Sequence, residues 1–422
     1  MDRIIRTYCE RTPGSAARAE RRSALFPGGD FRAVAWHRPY PLTLAEAAGP
    51  WLRDVDGNEY LDLLGNFTAL VHGNAHPAVV EAATRAVAGG TCWPAANDHM
   101  LELAELLVGR VASVEHVRFC NSGTEATMQA AMVAREVTGR RTVLMARYGY
   151  HGSYDDYEVG NLGHSGPDTV IAPYGDAAAF ESVLAEQGDR IACVILEPVM
   201  GSSGVVPAPP GFLARVADAA RAAGALFVLD EVITFRLATG GAQSLAAVEP
   251  DLTTFGKLIG GGFPVGGLGG RAHILEVTDP VLGRLRLSGT FNANPVTMAA
   301  GAAAVRELTG ERIADIDRWC GRLQDGLAKA AADHGVPFSS RRAGSLLNVF
   351  LGDEAPAAVG ERTDGRLMAA FHLACLDNGL FIAPRGLIAT STVLSDELID
   401  SAVDRAARAF AEVASAAGVA SA

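Results

Sequence analysis

The chain has 422 residues, 49% of them hydrophobic and 20% charged, with 36 basic against 48 acidic side chains and a net charge of −12. That length fits about two to four domains and the composition excludes a disordered chain. The acidic balance, with no Lys/Arg run, excludes the basic patch that nucleic acid binding requires.

In chain order, the start MDRIIRTYCERTPG has no apolar core of signal-peptide length, and residues 1–30 read as charged and turn-rich, with a loop at Pro27-Gly28-Gly29-Asp30. Residues 50–64 (PWLRDVDGNEYLDLL) read as a hairpin turning at Asp56-Gly57. His72 and His76 are four apart, but Gly73 and Pro77 break the helix a zinc pair would need, so no metal site is expected. From 78 to 305 strand and helix patterns alternate: strands at 117–120, 141–145, 191–196 and 225–229, helices at 124–138 and 212–223. Apolar runs such as 222–229 fall far short of the roughly 20 residues of a membrane helix. After 306 come a long amphipathic helix at 312–332, a strand-like 345–351, a helix at 366–378 and a terminal helix. The expected fold is α/β, with a mostly parallel sheet flanked by helices. The expected organisation is 1–65 as an N-terminal segment and hairpin, 66–305 as a large domain, and 306–422 as a smaller α/β domain that the hairpin joins. The six cysteines (Cys9, Cys92, Cys120, Cys193, Cys320, Cys375) show no Cys-x-x-Cys spacing, and free, mostly buried thiols in a cytoplasmic protein are expected.

Several segments carry candidate chemistry. Asn121-Ser122-Gly123-Thr124-Glu125 follows a strand and opens a helix. Alone it is a capping box; it equally forms an anion cradle, with Gly123 allowing close approach at a helix N-terminus. Glu197 ends the run 191–196, and Asp230 and Glu231 end 225–229, where ligands of open α/β sheets bind. Gly266-Gly267-Leu268-Gly269-Gly270 lacks the spacing of a dinucleotide loop. Of the 36 basic residues only Lys257 and Lys329 are lysines. Lys329 sits on an Ala-rich helix as a surface charge. Lys257, in TTFGKLIGGG, has apolar and glycine neighbours, a setting that lowers an amine's pKa and exposes a nucleophile that a guanidinium cannot supply. A phosphate cradle, an acid at a strand end and a lone buried lysine together describe a pyridoxal 5′-phosphate site, the acid keeping the pyridine nitrogen protonated.

These segments also carry a resemblance. The stretches 51–62 (WLRDVDGNEYLD), 117–127 (VRFCNSGTEAT), Tyr150-His151-Gly152, Glu197-Pro198, Asp230-Glu231-Val232, 251–262 (DLTTFGKLIGGG) and 288–301 (SGTFNANPVTMAAG) resemble the class III aminotransferases of fold-type I, in the glutamate-1-semialdehyde aminomutase-like branch. The resemblance runs from Phe26 to Val403. It implies a cofactor site of Ser122, Gly123, Thr124, Tyr150, His151, Glu197, Asp230, Val232, Lys257 and Thr290. Lys257 would be the Schiff-base lysine, Asp230 the partner of the ring nitrogen, Tyr150 and Val232 the two covers of the ring, and Thr290 a contact to the neighbouring subunit's phosphate in a homodimer.

Within that branch one segment departs from the aminomutases, which lack an arginine where this chain has Arg385 in Leu380-Phe381-Ile382-Ala383-Pro384-Arg385-Gly386. That segment resembles the β-phenylalanine aminotransferases, as do Arg32 in Phe31-Arg32-Ala33-Val34, Pro39-Tyr40-Pro41-Leu42-Thr43 and Ser288–Asn292. The expected activity is transfer of an amino group from an aromatic or medium-chain β-amino acid to an α-keto acid. Arg32 would take the donor's carboxylate and Arg385 mainly the keto acid's. Trp36, Phe67, Trp93 and Met200 are pocket walls or core. The alternative is glutamate-1-semialdehyde 2,1-aminomutase; a remote one is a catalytically silent binding or regulatory protein.

Overall fold

The structure is a computed structural model that describes residues 1–30, 32–352 and 365–417; Phe31, quoted beside Arg32, lies outside the described residues. The chain divides into two compact units, one of Pro77–Ile313 and one of Met1–His76 with Ala314–Ala422.

The unit Pro77–Ile313 is built on a seven-stranded sheet. Its order is His116–Cys120, Gly266–Gly270, Leu252–Gly256, Leu226–Asp230, Ile191–Leu196, Thr142–Ala146 and Thr169–Ala172. The strands from Leu252–Gly256 to Thr169–Ala172 run parallel, and Gly266–Gly270 is antiparallel to both its neighbours. Every residue of Ile191–Leu196 is buried, as a strand covered on both faces requires. Val143, Met145, Ile195, Val228 and Leu252 pack with Ala130 and Ala134 of the helix Gly123–Thr138. The neighbouring strands Ile191–Leu196, Leu226–Asp230 and Leu252–Gly256 put Glu197, Asp230 and Lys257 at their carboxyl ends. This is where parallel sheets present their ligand sites.

The glycine-rich strand is the element that sequence patterning hides. A Cβ at Gly266 would stand 2.0 Å from the Ser122 carbonyl oxygen. The missing side chain is what lets the start of helix Gly123–Thr138 come close.

In the other unit, Leu44–Ala48, Trp51–Asp54 and Glu59–Asp62 form an antiparallel ladder, and Leu380–Phe381 adds in parallel to Glu59–Asp62. A second sheet joins Phe338–Ala343, Leu346–Leu351 and Leu387–Ala389. Phe371 of helix Gly365–Asp377 stacks on Phe410 of helix Asp396–Ala417, with centroids 4.5 Å apart. Residues 1–30 are not mainly turns: they form the helices Asp2–Arg11 and Pro13–Ser23. Ile4 and Tyr8, one turn apart, bury one face of the first helix, and Pro13 opens the second, where its missing N–H costs nothing.

Candidate active site

The cradle forms as its residue types dictate. Ser122 Oγ accepts from the Glu125 N–H at 3.1 Å, and Glu125 Oε2 accepts from the Asn121 N–H at 2.9 Å. The N–H groups of Gly123 and Thr124 have no intrahelical partner, being the first of the helix. Three glycines draw four segments around them. A Cβ at Gly123 or at Gly256 would lie 3.2 Å from a Val232 methyl, and one at Gly152 (φ +95°) would meet the Thr124 side chain. Gly256 precedes Lys257, itself held at φ 47°. For a non-glycine residue that is a strained conformation of the kind that clusters at functional sites.

Charge is concentrated beside this cradle. Asp230 Oδ2 lies 2.8 Å from His151 Nδ1, while its Oδ1 accepts from the Val232 N–H at 3.1 Å and Thr254 Oγ1 at 3.0 Å. Thr254 was not singled out in the sequence; the parallel register that pairs it with Asp230 is the signal that finds it. His151 is buried and its Nε2 has no partner among the described residues. Glu197, also buried, accepts the N–H of Tyr150 through Oε1 and that of Gly201 through Oε2, each at 3.1 Å. Burial pushes the Glu197 carboxyl up to about 7; His151 and the two N–H donors pull it down, and Asp230 adds to the rise. Burial pushes the Lys257 amine below its ordinary value, with Asp230 and Glu197 pulling it partly back. Tyr150 is 37% exposed and Met200 fully buried. Thr290 is exposed, its carbonyl accepting from Cys92 Sγ at 3.5 Å. Lys329 is a surface charge paired with Asp333.

The remaining expected residues belong to the unit Met1–His76 with Ala314–Ala422. Arg32 Nη1 donates to Asn66 Oδ1 at 2.8 Å, and the guanidinium lies 5.2 Å from the Phe67 ring centroid. Asn66 was missed in the sequence, although Gly65-Asn66 is a left-handed turn signal. Trp36 is 43% exposed. Arg385 is exposed on a turn closed by the Gly386 N–H on the Ala383 carbonyl, and its own carbonyl accepts from Asn348 Nδ2 at 3.2 Å.

The family model for aminotransferase class-III matches residues 33–410. The chain belongs to the class-III aminotransferases. A glutamate-1-semialdehyde 2,1-aminomutase from Thermomicrobium roseum is 40% identical, with 92% of this chain and 96% of the relative covered. Two solved structures are similar throughout. An ω-transaminase from Sphaerobacter thermophilus is 36% identical with a TM-score of 0.91, covering 96% of this chain and 99% of that one. A β-phenylalanine aminotransferase from Variovorax paradoxus is 34% identical with a TM-score of 0.90, covering 99% and 97%. Class-III aminotransferases are enzymes that work with pyridoxal 5′-phosphate. The residues present fit that group: glycines whose Cβ would close the cradle, helix N–H groups suited to a phosphate, a buried carboxylate, and a desolvated amine. Among the described residues no helix is long and apolar enough to cross a membrane.

Proposed function

We propose that this class-III aminotransferase moves an amino group from an aromatic or medium-chain β-amino acid to an α-keto acid such as 2-oxoglutarate or pyruvate. The observation that carries the reading is Arg32, an exposed guanidinium oriented by Asn66 and Phe67. A β-amino acid holds its carboxylate one carbon further from the amine than an α-keto acid does. A transaminase must accept both in turn, so one cation cannot serve both carboxylates; Arg32 and Arg385 supply two, each with a planar fork for a carboxylate. Trp36 and Phe67 supply apolar surface for the donor's side chain.

Within the cofactor site, Ser122, Gly123 and Thr124 hold the phosphate, Tyr150 and Val232 cover the ring, and Asp230, steadied by His151 and Thr254, holds the ring-nitrogen proton. Bound pyridoxal phosphate supplies an electron sink for the carbon that bears the amine. Lys257 Nζ, its basicity lowered by burial, carries a proton to and from that carbon. Glu197 fixes the backbone at Tyr150. Thr290 reaches the phosphate of a second copy in a homodimer.

A second reading, glutamate-1-semialdehyde 2,1-aminomutase, is favoured by the curated relatives. The name comes from a relative at 40% identity, against 36% and 34% for the two transaminase structures, so the comparisons support it more strongly than the first. A panel of α- and β-amino acids with pyruvate and 2-oxoglutarate, run beside glutamate-1-semialdehyde, separates the two. Turnover of a β-amino acid with a keto acid supports the first. Efficient conversion of the semialdehyde with no keto-acid requirement supports the second.

A further inference from the structure

Arg32 is oriented without a counter-charge. Its guanidinium touches the Asn66 amide oxygen and the Phe67 ring, and among the described residues it forms no ion pair. Asp30, two residues away, directs Oδ1 to the Arg32 backbone N–H at 3.1 Å. Asn66 and Phe67 both stand on a turn, Gly65–Thr68, whose four residues have φ of 54°, 49°, 55° and 76°. Three consecutive non-glycine residues in the left-handed region, one of them a phenylalanine, persist only where the surroundings over-determine them. Asp62 fixes the entry to this turn: Oδ1 accepts the N–H groups of Leu64 and Gly65 at 2.9 Å each, and Oδ2 accepts Asn74 Nδ2 at 3.0 Å, while the Thr68 N–H closes the turn on the Leu64 carbonyl at 3.0 Å.

We propose that the left-handed turn Gly65–Thr68 is a specificity device, in which Asn66 and Phe67 hold Arg32 as an uncompensated cation and so make the enzyme prefer amine donors that carry a carboxylate. The inference rests on reading Arg32 as a carboxylate site. A neutral amide orients the guanidinium through one of its five N–H groups and leaves the others for an incoming anion. The Phe67 face attracts the same cation without occupying an N–H. A carboxylate at position 66 would instead occupy the planar fork and cancel its charge. Asn suits the position twice over, since it tolerates positive φ better than most residues. Asn66 is a positioning residue, acting through Arg32.

The test compares holoenzyme of wild type, Asn66→Asp, Asn66→Gly and Arg32→Ala. Asp is nearly the same shape as Asn and Gly accepts the backbone geometry, so both keep the turn. Two readouts are used: binding of 3-phenylpropanoate by calorimetry, which needs no turnover, and KM against kcat for β-phenylalanine beside 1-phenylethylamine, which lacks the carboxylate. Asn66→Asp should weaken 3-phenylpropanoate binding and raise the β-phenylalanine KM roughly tenfold or more. Its kcat should move far less than KM, and KM for 1-phenylethylamine should not rise. Asn66→Gly should show a smaller loss of the same kind. Carboxylate affinity within twofold of wild type in Asn66→Asp, with Arg32→Ala impaired, overturns the inference and leaves Arg32 as the carboxylate site. Unchanged affinity in both, or no binding of 3-phenylpropanoate by wild type, overturns the inference and that reading together.

Discussion

Lys257 is one of two lysines among 36 basic residues, and the structure gives the pair opposite surroundings. Lys329 is exposed beside Asp333 at 2.7 Å, whereas burial pushes the Lys257 amine below its ordinary value. Borohydride reduction of the holoenzyme followed by peptide mapping should therefore leave the pyridoxyl group on Lys257; a label on Lys329 would contradict the assignment. Glu197 makes a second prediction, with a sign. Its carboxyl is raised to about 7, so the fold favours the protonated form. The stability it contributes is whole below the unfolded value and is lost as pH rises through about 7. Gln at this position offers one acceptor oxygen to the two N–H donors of Tyr150 and Gly201, which costs about 1 kcal/mol. It carries no charge, so it escapes the alkaline loss. Urea unfolding of the cofactor-free protein should show the balance between Glu197→Gln and the parent moving toward the variant by about 2–3 kcal/mol from pH 5 to pH 8. A difference independent of pH would show that the carboxyl is not raised.

The elements that sequence pattern reveals are those with regular periodicity. Ile191–Leu196 is a continuous apolar run, and Ser122 with Glu125 announces the helix Gly123–Thr138; both are plain in the sequence. Two kinds of element are not. The helices Asp2–Arg11 and Pro13–Ser23 bury so narrow a face that their charge masks it. Gly266–Gly270 is a fully buried strand made of a residue type that strands disfavour, because its position is set by backbone approach rather than by packing. Asn66 was hidden for a related reason: its role depends on a side chain 34 positions away in sequence, which no local pattern encodes. The glycine strand can be tested directly. At Gly266 an added Cβ meets the Ser122 carbonyl at 2.0 Å and Cys120 Sγ at 2.6 Å, while at Gly267 the nearest atom is the Ile259 Cδ1 at 3.2 Å, the end of a flexible side chain. Gly266→Ala should destabilise by about 3 kcal/mol and loosen cofactor retention, and Gly267→Ala by about 1 kcal/mol. Equal thermal shifts in the two variants would show that the helix start does not depend on that approach.

At the scale of the whole molecule, the proposed function calls for a second copy of the chain. The unit Pro77–Ile313 leaves Trp93 at 41% and Phe291 at 61% exposure. The two are linked, since Cys92, next to Trp93, donates to the carbonyl of Thr290, next to Phe291. Exposed apolar side chains are candidates for a contact surface, and the proposed phosphate contact of Thr290 to a second subunit lies beside Phe291. Subunit association and cofactor retention should then be one equilibrium. Burying a phenylalanine is worth about 2 kcal/mol, roughly 30-fold in a dissociation constant, and a charge in its place adds to that loss. Phe291→Glu should therefore raise the dimer dissociation constant at least roughly 30-fold by analytical ultracentrifugation. It should also release pyridoxal phosphate on dilution at concentrations where the parent retains it. Asp230, Lys257 and the Ser122 cradle are untouched by that substitution, so the loss of cofactor would follow from the loss of the partner. A monomeric parent that keeps its cofactor and full activity would remove Thr290 from the site.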